Sequence, residues 1–168
     1  MVALVLSAAL ALVSHHAAGP AHAANFPTRG LVVPGKTIGG VGLGMSKTEV
    51  KSRWGSAYTL CTTCGTIATW LYEYRGGEPL GAAVRFNKGG KVIAVFTLGS
   101  PAGWGLKGVM IGDPVSNVYN LFANTGSQNC IGYNALTVKI DGAVTSFYAS
   151  AGVIYGYALT VPAESACQ

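Results

Sequence analysis

The sequence predicts an α+β fold. Two tandem repeats, each one helix followed by a three-stranded antiparallel meander, share one sheet with the helices on one face. Three observations predict this class: a segment that recurs further along the chain, a helix-start pattern in each copy, and alternating β-rich segments after each helix. We expect residues 37–100 to form the first repeat and residues 101–168 the second, within one structural domain.

The recurring segment is "GGVGLGMSKTEVKSRWG" at residues 39–55, which aligns with "KGVMIGDPVSNVYNLFA" at residues 107–123. The aligned pairs are Gly40 with Gly108, Val41 with Val109, Leu43 with Ile111, Gly44 with Gly112, Val50 with Val118 and Trp54 with Phe122. A phosphate-binding loop needs lysine where Met45 stands, so this pattern indicates the link from a strand to a helix instead.

Each copy contains signals for the start of a helix. Ser46 and Glu49 have the spacing of a capping box, and Asp113 followed by Pro114 is typical of a cap and a first helical residue. The helices are expected to end at Gly55 and Gly126, since glycine commonly follows the last helical turn.

Alternating apolar and polar residues then predict the strands. The segments are 66–74, 80–87 and 91–98 in the first repeat, and 135–141, 143–150 and 153–161 in the second. Asp141-Gly142 and Ala151-Gly152 have the composition of tight hairpin turns. The Gly/Pro-rich residues 99–105 link the repeats, with Trp104 as an expected packing residue.

The first 23 residues are expected to be a signal peptide, and residues 24–36 an extended arm. An apolar run from Val2 to Val13 ends in Ala21-His22-Ala23, a small-x-small cleavage pattern, although no Lys or Arg lies near Met1. The run is too short to span a bilayer. We therefore expect cleavage after Ala23 and a secreted or extracytoplasmic protein without a membrane span.

The residue inventory disfavours an enzyme. All three histidines, His15, His16 and His22, lie in the expected leader, which removes the commonest general base and metal ligand. The carboxylates show no paired spacing, and Glu49, Asp113 and Asp141 have capping or turn roles. We expect no catalytic residue, no metal and no cofactor.

Four cysteines, Cys61, Cys64, Cys130 and Cys167, indicate two disulfides in an exported chain. Three pairings are open, and closure within each repeat favours Cys61–Cys64 and Cys130–Cys167. A redox role for Cys61-Thr-Thr-Cys64 is the alternative, but redox pairs of this spacing lie at helix starts, and this one precedes a strand. A zinc site would need all four cysteines to converge.

Two surface features bear on partners. The net charge of +5 is scattered. The cluster Lys47, Lys51 and Arg53 is typical of a solvated helix face, so we expect no nucleic-acid partner and consider a weak association with anionic cell-wall polymers. The alternating aromatics either pack under the helices or form a protein-binding surface, for which the candidate residues are Trp70, Tyr72, Tyr74, Tyr155 and Tyr157.

The motif I-x-x-V-x-L-G-M-S-x-x-E-V at residues 38–50 resembles the helix start of BamE/SmpA-type envelope modules. Its tandem copy in a disulfide-bearing chain resembles β-lactamase inhibitory proteins, although the second copy lacks Met-Ser-x-x-Glu. The resemblance implies a binding scaffold whose sheet binds a protein, and it assigns no contact residue.

We therefore hypothesise a secreted, non-enzymatic binding module, inhibitor-like or an envelope protein-binding scaffold. A cell-wall or envelope assembly factor is the alternative, and a thiol-redox enzyme using Cys61 and Cys64 is the least favoured hypothesis.

Overall fold

A computed structural model of the protein describes residues 26–27, 30–72, 81–97 and 104–168. The expected signal peptide lies outside the described residues. The sequence predicts an α+β fold with one helix in each repeat, but the described backbone is mostly strand, with two short helices. The expected fold class, a helix-plus-meander repeat of α+β type, is therefore wrong: the strands form two separate sheets, of eight and five strands.

The larger sheet is antiparallel throughout. Its strands, in chain order, are β4 (Tyr58–Leu60), β5 (Ala68–Tyr72), β6 (Ala82–Phe86), β7 (Val92–Thr97), β10 (Gly126–Cys130), β11 (Tyr133–Ile140), β12 (Ala143–Ser150) and β13 (Val153–Thr160). Their order across the sheet is β10-β11-β12-β13-β7-β6-β5-β4. The two groups of four strands therefore meet at one seam, where Ala158 of β13 pairs with Phe96 of β7.

The smaller sheet is built from segments expected to be arm, loop and link. Its strands are β1 (Gly30–Val33), β2 (Thr37–Ile38), β3 (Val41–Gly42), β8 (Trp104–Leu106) and β9 (Val109–Met110). Strand β1 runs parallel to β8, with Gly30 opposite Trp104. This pairing joins the residues that precede the first helix to those that precede the second.

The two helices differ in length and in capping. Helix α1 (Lys47–Trp54) has the expected capping box, in which Ser46 N–H donates to the Glu49 carboxylate at 2.7 Å, and it ends at Gly55 as expected. Hydrogen bonds from the Ser46 backbone and side chain lower the pKa of Glu49.

Helix α2 (Ser116–Leu121) has no side-chain cap. The expected cap at Asp113 is wrong because its carboxylate accepts instead from Met110 N–H at 2.8 Å. The helix ends at Phe122, and Gly126 begins β10 rather than ending the helix. The two aligned segments therefore each contain a helix, but the helices differ in length and in their caps.

The larger sheet has two unlike faces, which we call the inner and the outer face. The inner face packs under α1, α2 and the smaller sheet, and the core between them contains Trp54 of α1, Trp104 of β8 and Tyr72 of β5. The rings of Trp54 and Trp104 lie 5.5 Å apart between centroids. The outer face forms a second, smaller cluster around Phe96, Tyr148 and the C-terminal segment.

The C-terminal segment, residues 161–168, crosses the outer face after β13. Ala166 is buried against this face, and Glu164 forms an ion pair with Arg85 of β6 at 3.0 Å. Gln168 N–H donates to the Tyr133 hydroxyl at 2.9 Å. The segment therefore covers the outer face near the seam and leaves the part toward β4 uncovered by these contacts.

Candidate binding site

Most of the expected aromatic surface is buried in the inner face. Trp70, Tyr72 and Tyr157 are 4%, 0% and 0% exposed, because strand alternation directs them toward the helices and the smaller sheet. Tyr155 is partly buried on the outer face, where it packs beside Tyr133 and Tyr148. Tyr74 lies outside the described residues. The buried three cannot form an exposed protein-binding surface, so the alternative packing interpretation fits them.

The disulfides have the favoured pairing, Cys61 with Cys64 and Cys130 with Cys167. The first closes a loop directly after β4. The second ties the start of the β10–β11 turn to the C-terminal segment across a separation of 37 residues. No free cysteine is present among the described residues.

A cavity of about 430 Å³ lies on the outer face, between the loop of residues 61–64 and Gln168. Side chains from β5, β6 and β7 form its floor, namely Leu71, Arg85 and Phe96. The residues of β4 and the disulfide loop line the other side. Its volume falls within the range of about 300–1,000 Å³ that is usual for ligand sites.

The floor of the cavity combines apolar and charged groups. Ala83 pairs with Leu71 on one side and with Phe96 on the other, so the side chains of Leu71 and Phe96 lie on the same face of the sheet. The guanidinium of Arg85 lies 5.6 Å from the centroid of the Phe96 ring. The floor is therefore apolar at Leu71 and Phe96 and charged at Arg85.

Each disulfide stabilises one side of this cavity. Cys61 and Cys64 are themselves lining residues and close the loop that also contains Thr62 and Thr63. Cys167 is covalently attached to Cys130 and precedes Gln168, which lines the opposite side. Two bonds that are distant in sequence therefore constrain two sides of the same cavity.

The outer face also contains buried polar atoms without hydrogen-bond partners. Within the described part of the chain these are Arg85 Nε, Ser146 Oγ, Tyr148 OH, Thr160 Oγ1 and Gln168 Oε1. All five atoms belong to side chains on the outer face or in the C-terminal segment that crosses it. Burying a polar atom without a hydrogen-bond partner costs free energy, so this face carries a cost that the inner face avoids.

Tyrosines of the outer face titrate above their ordinary range. Burial, followed by the neighbouring Tyr133, raises the pKa of Tyr155 to about 12. The same two causes, with burial the larger, raise the pKa of Tyr148 well above its ordinary value. Both hydroxyls therefore stay neutral at physiological pH and act as hydrogen-bonding groups rather than as bases.

The described ranges contain no metal-binding cluster and no membrane-spanning helix. No group of three or more His, Cys, Asp or Glu side chains there is placed to hold a metal ion. Neither helix of that part of the chain is long and apolar enough to cross a membrane.

Sequence reasoning did not identify the residues that form the cavity floor. Leu71, Arg85 and Phe96 come from three strands, and only the strand pairing brings them together. One signal was available in the sequence: Ala83 and Arg85 alternate with Ala82, Val84 and Phe86, so a single arginine faces the side that lacks the large apolar residues.

Two solved structures share this fold. One is an extracellular protein containing a SCP domain from Bacillus anthracis str. Ames, with a TM-score of 0.52 and 12% identity over 71% of this chain and 44% of that one. The other is a cysteine-rich secretory protein from Staphylococcus aureus subsp. aureus Mu50, with a TM-score of 0.55 and 11% identity over 83% of this chain and 50% of that one.

The chain thus spans about half the length of each of these structures. No protein-family model and no curated protein matches the sequence. The expected resemblance to β-lactamase inhibitory proteins and BamE/SmpA-type modules is wrong, since the structural neighbours are SCP-domain and cysteine-rich secretory proteins. At 11–12% identity the likeness concerns the fold alone.

Proposed function

We propose that this protein is a secreted, non-enzymatic binding module that receives a segment of a partner protein in the outer-face cavity. The observation that carries the proposal is that the two disulfides constrain opposite sides of one cavity. A binding site whose walls are already fixed loses less conformational entropy when its ligand arrives. Disulfides placed at a cavity therefore favour binding as well as stability.

The chemistry of the lining supports a protein partner. The floor is apolar, at Leu71 and Phe96, while exposed threonines of β4 and of the disulfide loop, Thr59, Thr62 and Thr63, form the rim. An apolar centre with a polar rim is the usual anatomy of a protein-binding patch. The absence of histidine after residue 22 supports a site that binds without catalysing a reaction.

Secretion is supported by the leader-like residues 1–23 and by the two disulfides, which persist in oxidising compartments. Amino-terminal sequencing of the protein in culture medium is expected to begin at Ala24. Recovery of the intact chain only from the cytoplasm would contradict this part of the proposal.

A blocking substitution tests the cavity. Thr63→Trp places an indole at the exposed rim, and Ser127→Trp places the same side chain on β10, the opposite edge strand of the same sheet. Immobilised protein is incubated with culture medium and envelope extract, and captured proteins are quantified by mass spectrometry. We expect the first variant to lose partners that the wild type and the second variant retain. Equal capture by both variants would place binding elsewhere.

A further inference from the structure

A second cavity, of about 340 Å³, lies at the end of the larger sheet where β5 begins and β6 ends. Its lining includes the apolar side chains Ile67, Phe86 and Ile93. Lys47 of α1 and Lys88 of the turn between β6 and β7 line the same cavity, and both lysines are exposed. The cavity therefore combines apolar walls with two positive charges that a ligand from solvent can reach.

The positive charge extends beyond the cavity over α1 and the β6–β7 turn, residues 87–91. The exposed basic residues of these two elements are Lys47, Lys51, Arg53, Lys88 and Lys91. Glu49 is the one carboxylate in the two elements, and Ser46 N–H and Ser46 Oγ both donate to it at 2.7 Å. None of the five basic side chains forms an ion pair with another described residue. Helix α2, in contrast, contains no charged residue.

Aromatic rings hold two of these ammonium groups beside the cavity. Lys47 Nζ lies 5.5 Å from the centroid of the Phe86 ring, and Phe86 is itself a lining residue. Lys47 Nζ and Lys51 Nζ lie 5.9 and 5.5 Å from the centroid of the Trp70 ring. At such distances the face of an aromatic ring attracts a cation. The charge of Lys47 is therefore held next to an apolar wall of the cavity.

The two elements that carry the lining lysines are fixed by backbone hydrogen bonds. Val92 N–H donates to the Met45 carbonyl at 2.9 Å, which joins the residues before α1 to the start of β7. The β6–β7 turn is closed by Asn87 N–H, which donates to the Lys91 carbonyl at 2.9 Å, and by Asn87 Oδ1, which accepts from Lys91 N–H at 3.0 Å. The backbone on both sides of the cavity is thus ordered before a ligand binds, which lowers the entropic cost of binding.

We infer that this second cavity binds an acidic segment of a partner protein, in which carboxylates flank one apolar side chain. The carboxylates face Lys47 and Lys88, and the apolar side chain contacts Phe86 and Ile67. Complementary charge favours an anionic ligand. The apolar walls favour a protein segment over a phosphate polymer, which has no apolar side chain to place against them. The cavity shares no lining residue with the outer-face cavity, so it is a separate site beyond the proposed function.

Three peptides test the need for charge and for an apolar side chain. They are acetyl-Glu-Glu-Leu-Glu-Glu-amide, its analogue with glutamine at every glutamate, and its analogue with glycine at the leucine. Binding to the disulfide-bonded protein is followed by ¹H–¹⁵N NMR shifts of residues 47, 66–68 and 86–88. We expect the first peptide to shift these resonances, more weakly as salt is added, and the glutamine peptide to leave them unchanged. The glycine peptide should bind about 3- to 10-fold more weakly, because it buries no apolar side chain.

Two double variants remove the same charge at different places. Lys47→Gln with Lys88→Gln neutralises the lysines at the cavity, whereas Lys107→Gln with Lys139→Gln neutralises two exposed lysines that do not line it. We expect the first pair to weaken binding of the acidic leucine peptide about 3- to 30-fold and the second pair to weaken it less than about 2-fold. Unchanged spectra outside the site confirm that both variants fold.

Four outcomes would overturn the inference. Equal weakening in the two double variants would show that net charge alone attracts the peptide. Equal binding of the leucine and glycine peptides would remove the apolar contact. Inorganic polyphosphate that shifts the same resonances with equal or higher affinity than the leucine peptide would identify a phosphate polymer as the ligand. No shift with the leucine peptide would refute binding at this cavity, while the outer-face cavity is tested separately by Thr63→Trp.

Discussion

The two faces of the larger sheet bury their polar groups in different ways. On the inner side Trp54 Nε1 donates to the Gly39 carbonyl at 2.8 Å, and the Tyr72 and Tyr157 hydroxyls donate to the Gly55 and Val109 carbonyls at 3.3 and 3.2 Å. On the outer face Tyr148 OH and Ser146 Oγ are also buried, but neither has a hydrogen-bond partner among the described residues. The inner side therefore pairs these buried polar groups, whereas the outer face leaves some of its own unpaired.

The largest effect is expected from Trp54→Ala on the inner side. Trp54 is fully buried among Phe26, Tyr72 and Trp104, so its loss leaves a large void and should lower the free energy of unfolding by about 3–5 kcal/mol. Phe96→Ala should cost less, because its ring borders an existing cavity. Urea denaturation measures both, and an equal cost would remove this distinction between the faces.

The disulfides are expected to differ in the same experiment. The Cys130–Cys167 bond closes a separation of 37 residues and should contribute about 3–4 kcal/mol in the chain-entropy model, whereas the Cys61–Cys64 separation of 3 should contribute about 1–2 kcal/mol. Thermal unfolding of Cys167→Ser and Cys61→Ser, each with its partner also changed to serine, checks this order. A larger loss from the shorter loop would contradict it.

The same substitution, threonine to valine, can be made at one buried position on each face of the larger sheet. Thr145 and Thr160 are both fully buried, but Thr145 Oγ1 accepts from Gly35 N–H at 2.8 Å, whereas Thr160 Oγ1 has no partner among the described residues. Thr145→Val should destabilise the protein by about 1 kcal/mol, and Thr160→Val should leave it unchanged or more stable. Equal destabilisation in urea would show that Thr160 has a hydrogen-bond partner.

The smallest effect is expected from alkaline pH, which should lower the free energy of unfolding through the buried tyrosines. Burial is the first cause that raises the pKa of Tyr157 and of Tyr155, the latter to about 12, while both titrate near 10 when unfolded. Above pH 10 the unfolded chain releases protons that the folded protein retains. The contribution of these tyrosines to the free energy of unfolding is constant below pH 9 and should fall as pH rises toward 12. Urea midpoints between pH 8 and 11 should fall less in Tyr157→Phe than in the wild type.

The central strands could be predicted from the sequence because each is long enough to show the alternation of side chains between the two faces of a strand. Segments of five to eight residues, such as Ala82–Phe86 and Ala143–Ser150, lie where alternation placed them. Local chemistry was equally informative at the Ser46–Glu49 capping box and at the hairpin turn of Asp141-Gly142, where both residues have positive φ. These features depend on neighbours within four residues.

The rest depends on contacts that no local pattern encodes. Strands β2, β3 and β9 have two residues each, too few for any periodicity, and they are defined by partners in the smaller sheet. The cap at Asp113 failed because a nearby backbone N–H competes for its carboxylate. The outer-face cavity could not be predicted because Arg85 and Gln168 line it together only after the C-terminal segment has crossed the sheet.

The seam between β13 and β7 has a consequence for the order of oxidation. Cys61 and Cys64 follow β4 in one four-stranded group, whereas Cys130–Cys167 joins the end of β10 to the segment that follows β13. Neither bond links strands of the two groups to each other, so neither requires β13 to have paired with β7, the pairing of strands most distant in sequence in the larger sheet. The two disulfides can therefore form independently of each other. A chain that already contains both native disulfides can still lack the pairing of β13 with β7 that joins the two groups of strands.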